Sequence, residues 1–77
     1  MLLERHRNGD AVAIFQLNAR EFPDSWNAYD SLAEACLQNG EVERARANYL
    51  RSLELNPGNE GAKAALERLP PPALIGK

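Results

Sequence analysis

The sequence predicts an all-α fold, a short array of helical hairpins with one complete hairpin at its centre. Three observations carry this. Turn-forming groups (Asn8-Gly9-Asp10, Pro23-Asp24-Ser25, Asn39-Gly40 and Asn56-Pro57-Gly58-Asn59) cut the 77-residue chain into stretches of about 10 to 16 residues, ordinary helix lengths. Strand-type alternation is absent and β-branched residues are few, so no sheet is expected. A spacing pattern also returns: Ala11, Phe15 and Pro23 are matched in type by Ala45, Tyr49 and Pro57, each 34 residues later. Asp24 against Gly58 breaks the match, so the repetition is one of spacing and residue type.

The elements follow in order. A first helix is expected from about Asp10 to Glu21, with Ala11, Val12, Phe15 and Ala19 as one apolar stripe. Phe22-Pro23 ends it, because a residue before proline is pushed out of the helical region. Residues 1–7 offer Leu2 and Leu3 as the end of a further helix. The second helix starts near Asp24 or Ser25, either able to cap free amides, and runs to Gly40, which suits the left-handed stop position. Its stripe is Trp26, Tyr29, Leu32, Ala33, Cys36 and Leu37. The third spans about Glu41 to Leu55, with Val42, Ala45, Tyr49, Leu50 and Leu53 inward and Glu41 and Glu43 in the first turn, where the helix dipole favours acids. The fourth follows Asn59, a good cap, and turns Ala62, Ala65, Leu66 and Leu69 inward. Pro70-Pro71-Pro72 ends it and holds the tail extended.

Around the central hairpin stand Tyr29-x2-Leu32-Ala33-x2-Cys36, then Ala45-x3-Tyr49, then Pro57. These residues, with the 34-residue period, resemble the tetratricopeptide repeat. Ala33 and Ala45 are small where two helices cross; Tyr29, Leu32 and Cys36 fill the space between them; Tyr49 packs against the next helix. Ala33 in place of the usual glycine and Cys36 in place of an aromatic depart from the motif without forbidding it, as do Arg46 and Ser52 at positions often apolar or alanine. Residues 1–69 thus read as one helical domain: a complete repeat at about 26–59, a capping helix at about 60–69, and a proline-rich extended tail at 70–77. Lys63 and Glu67 occupy the positions matching Tyr29 and Ala33. There they suit a terminal helix whose outer face meets water, and are expected to pair at i,i+4. The stretch from Phe22 to Leu32 is also similar to the carboxy-terminal repeats appended to some bacterial serine hydrolases of the beta-lactamase-related kind. That likeness implies a tail or gene fragment of a larger protein.

Composition narrows function. The chain is 44% hydrophobic and 26% charged, with nine basic residues scattered among eleven acids and a formal net charge of -2. It lacks the basic stripe of a nucleic-acid binder and any apolar run of membrane-spanning length, so it reads as soluble and cytoplasmic, or periplasmic if part of an exported parent. A lone cysteine makes neither an internal disulfide nor a zinc site, and Cys36 falls on the buried stripe as a small core hydrophobe. His6, between Arg5 and Arg7, reads as part of a solvated basic turn. Ser25, Ser31 and Ser52 lack the spacings of nucleophilic serines and read as caps or surface residues. Trp26 packs against Phe22 or the first helix, or belongs to a recognition surface. No catalytic, metal-binding or cofactor-binding residues are assigned, and no cofactor is expected.

The family resemblance implies instead a non-catalytic protein–protein interaction module, whose concave face is formed mainly by the first helix of each hairpin. By motif position that face holds Asn27, Asp30, Glu34, Leu37 and Gln38, with Ala64 and Arg68 on the capping helix. The family's clamp for a partner's terminal carboxylate uses basic and asparagine side chains there; Asp30 and Glu34 are the opposite. The expected partner is therefore a basic or neutral protein segment, helix or extended peptide, not nucleic acid or membrane. Two alternatives stand beside this. One is a self-associating homodimer through Val12, Phe15 and their neighbours; the other is an accessory segment folded on a larger serine hydrolase.

Overall fold

The computed structural model describes residues 2–70, with side chains from residue 9 onward. Four helices follow one another: α1 (Leu2–Glu21), α2 (Trp26–Gln38), α3 (Val42–Leu55) and α4 (Glu60–Arg68). There is no strand among the described residues, so the all-α expectation holds. Each helix packs on its neighbour in sequence, α1 on α2, α2 on α3 and α3 on α4.

Helix ends are set by local chemistry. Ser25 sits in extended backbone ahead of α2, and its hydroxyl oxygen accepts from the Ala28 amide at 3.2 Å. At the other end Gly40 has φ +81°, the only positive φ among the described residues. The Gly40 amide donates to the Leu37 carbonyl and the Glu41 amide to the Cys36 carbonyl. That pair of bonds is the Schellman closure, which glycine permits because it has no Cβ to clash. Asn59 caps α4 by accepting from the Ala62 amide at 3.3 Å. Glu41 precedes α3 without such a bond. Its carboxylate takes the Asn39 side-chain amide and the Arg44 guanidinium instead, and these two hold its carboxyl below the usual range.

The amino-terminal helix corrects the sequence reading. α1 runs unbroken from Leu2 through Asn8-Gly9-Asp10 to Glu21, where a turn and a helix start near Asp10 were expected. Gly9 keeps a negative φ, and a Cβ placed there would meet nothing within 4 Å. A glycine inside a helix costs only about 1 kcal/mol relative to alanine, too little to interrupt twenty hydrogen-bonded residues. The His6 side chain, and Pro71 and Pro72 of the expected tail, lie outside the described residues.

The core is built from small residues. Ala33, Ala45 and Ala62 are fully buried, as is Cys36, and around them pack Val12, Ala19, Leu32, Tyr49 and Leu69. Small side chains let the helix axes approach closely, which is why alanine recurs where the hairpins cross. α2 is packed on two sides, by α1 and by α3. It therefore buries Ala28 and Ala35 as well as Leu32, Ala33 and Cys36 of the stripe read from the sequence, while Tyr29 and Leu37 of that stripe are half-buried. Two sequence assignments fail on α3, one inward and one outward. Leu50 is 50% exposed, because no helix covers that side of α3, while Ser52, read as a cap or surface residue, is fully buried. Its hydroxyl donates to the Trp26 carbonyl at 2.9 Å and accepts from the Asn59 side-chain amide at 2.9 Å. Trp26 itself, at the first position of α2, is 38% exposed.

Lys63 and Glu67 are both exposed. They do not pair with each other. Lys63 reaches back to Glu60 at 3.9 Å, the i,i+3 neighbour on the same face. This pair, Arg46–Glu43 and Arg51–Glu54 each lie within one helix, and Arg44–Glu41 joins α3 to its N-cap residue; solvent screening leaves such local ion pairs little weight beside the packed core.

Candidate partner-binding groove

One face of the array is hollow. α2 contributes Asp30, Glu34, Leu37 and Gln38, residues three and four apart that share a helix face. α3 contributes Tyr49, and α4 contributes Gly61, Ala65 and Arg68, followed by Leu69 and Pro70. Together they line an open cleft of about 560 Å³. Gly61 and Ala65 keep the α4 wall low, while Leu37, Tyr49 and Leu69 make the lining partly apolar.

Tyr49 is the link between core and cleft. Its ring is buried, only 6% exposed, yet it lines the cleft. Burial pushes its hydroxyl pKa up; Asp30 and Glu34 add to the rise and Arg68 opposes it. Those three charged side chains therefore act on one point. None of the three has an ion pair among the described residues. Glu34 and Gln38 also line a smaller hollow of about 230 Å³ on the α1 side, with Ala11, Phe15, Ser31 and Ala35. The concave surface thus continues across α2 toward α1.

Five of the six residues expected at a partner surface, Asp30, Glu34, Leu37, Gln38 and Arg68, come together in the cleft. Asn27 does not: it is exposed, one turn nearer the start of α2 than Asp30, the first lining residue. Ala64 is exposed and also outside the lining. Tyr49, Gly61, Ala65, Leu69 and Pro70 were not read as groove residues. The 34-residue offset held the signal for one wall, since it carries Asn27 onto Gly61 on the next equivalent helix.

The remaining candidates fall into structural roles. Ser25 is the α2 cap and Ser52 a buried hydrogen-bonding residue. Cys36 is fully buried and its thiol pKa is raised, chiefly by burial, with Arg44 lowering and Glu41 raising it. Among the described residues no group of three or more His, Cys, Asp or Glu is placed to hold a metal ion, and no helix is long and apolar enough to cross a membrane.

Helices α2 to α4, the ones that build the cleft, are also the part of the chain that a family profile matches. The tetratricopeptide-repeat profile covers residues 26–69. The chain belongs to the tetratricopeptide-repeat family. The chain is 39% identical over 61 residues to the Hsp70-Hsp90 organizing protein of Triticum aestivum, covering 79% of this chain and 10% of that protein. It is 36% identical over 58 residues to the TPR repeat-containing protein YvcD of Bacillus subtilis (strain 168), covering 75% of this chain and 12% of that one. It is 30% identical over 63 residues to anaphase-promoting complex subunit 7 of Arabidopsis thaliana, covering 82% and 11% respectively. The repeat segment therefore spans about a tenth of the length of these relatives. No solved structure matches it. Tetratricopeptide repeats are generally non-catalytic, and membership makes protein–protein interaction the coarse function of this segment.

Proposed function

We propose that this tetratricopeptide segment binds a basic or neutral segment of a protein partner in the cleft between α2 and α4. The cleft itself carries the reading: five side chains chosen by repeat position line one hollow, with an apolar floor and two carboxylates on the α2 wall. An apolar floor supplies affinity through area removed from water, and the carboxylates supply selection by sign. Two acids against one Arg68 leave the lining net negative, which favours a cationic side chain over the terminal carboxylate that a basic clamp would take. The relatives' names support the coarse part, since one is called an organizing protein for Hsp70 and Hsp90 and another a subunit of a complex.

Charge reversal tests it. In a peptide-array screen followed by fluorescence titration, Asp30→Lys with Glu34→Lys should weaken every lysine- or arginine-bearing peptide that the native chain binds. Both side chains border the cleft and neither belongs to the packed core, so circular dichroism should show unchanged helicity. Unaltered affinity in the double variant would remove the cleft as the binding site.

A further inference from the structure

The cleft does more than present acids, and the arrangement of its charges deepens the reading above, on which this inference rests. Glu34 and Arg68 are 34 residues apart. They hold the same position on two successive equivalent helices, α2 and α4, and both line the cleft. They carry opposite charge, yet no ion pair joins them among the described residues. Between the two walls lies Tyr49, on whose hydroxyl Asp30, Glu34 and Arg68 all act. Gly61 and Ala65 add no bulk on the Arg68 side. The cleft thus has an acidic wall and a basic wall separated by a partly apolar floor.

We infer that the cleft selects an extended peptide carrying a basic and an acidic side chain at adjacent positions. In extended backbone successive side chains point to opposite sides. A neighbouring lysine and glutamate therefore project toward opposite walls, the ammonium to Asp30 and Glu34 and the carboxylate to Arg68. A purely basic peptide satisfies one wall and leaves its excess charge facing Arg68. Arg68 is then the specificity-determining residue of the groove, and the two carboxylates its counterpart.

The probes are short synthetic peptides of leucine and alanine that carry an adjacent Lys-Glu pair, Lys-Gln, Gln-Glu, or Lys and Glu separated by one residue. They are titrated against the full chain and its Arg68→Gln and Arg68→Glu variants. Exposed charge pairs contribute up to about 1 kcal/mol, so the adjacent Lys-Glu peptide should bind roughly three- to fivefold tighter than Lys-Gln. It should also bind better than the separated pair. Arg68→Gln should abolish the advantage of Lys-Glu over Lys-Gln, and Arg68→Glu should invert it. An advantage that survives Arg68→Gln, or no advantage in the native chain, overturns the inference. Asp30→Lys with Glu34→Lys separates the two levels. If it weakens lysine peptides while Arg68→Gln changes nothing, the groove stands and the two-signed selection falls. If neither variant changes any affinity, the groove reading falls as well.

Discussion

Ser52 joins three helices through one hydroxyl. It donates to the Trp26 carbonyl at the start of α2 and accepts from Asn59, which also caps α4. Removing the hydroxyl would leave the buried Asn59 amide without its acceptor and take one of two donors from the Trp26 carbonyl. An unsatisfied buried polar group costs about 1–3 kcal/mol, so Ser52→Ala should destabilise the chain by that amount in urea or thermal unfolding. A loss within experimental error would show that water replaces the hydroxyl freely. Side-chain polarity in a sequence sorts residues by their affinity for water. By that measure Leu50 faces inward and Ser52 outward, the reverse of what is found. The carbonyl to which the hydroxyl donates lies 26 residues away, and no local pattern announces it.

Helix boundaries were legible wherever the end is a matter of nearby atoms. Ser25, Gly40 and Asn59 each do what their chemistry suggests, because a cap bonds within three or four residues of itself. Asn8-Gly9-Asp10 looks alike in sequence and behaves otherwise, since turn preference there is outweighed by helix continuity on both sides. The two glycines should consequently respond in opposite directions. Gly40→Ala forces a Cβ into left-handed backbone and should cost about 1 kcal/mol. Gly9→Ala meets nothing within 4 Å and should add roughly 0.5–1 kcal/mol. Denaturant midpoints of the two variants, compared with the native chain, check both signs at once. Groove residues divided the same way. Asp30, Glu34, Leu37, Gln38 and Arg68 could be read from repeat position, whereas Tyr49 and Ala65 join the lining only once three helices have packed.

Across the whole molecule the two outer helices present unlike surfaces. α1 turns Ile14 and Leu17 outward, 65% and 57% exposed, beside a shallow hollow with Phe15, Asn18 and Glu21. Val12 and Phe15, expected to be uncovered, are instead buried and half-buried under the α2 contact. α4 turns outward Glu60, Lys63 and Glu67, the latter two where the complete hairpin has Tyr29 and Ala33. Stacking one copy's α4 on the next copy's α1 would continue the array. It would also strip water from three charged groups against leucine and isoleucine, a desolvation that apolar contact does not return. Replacing Lys63 and Glu67 together with leucine should lower that barrier, and light scattering at rising concentration should then detect longer assemblies than the native chain forms. A head-to-tail contact that never closes on itself grows without limit. The charged outward face of α4 thus opposes the open-ended growth to which a stackable shape lends itself.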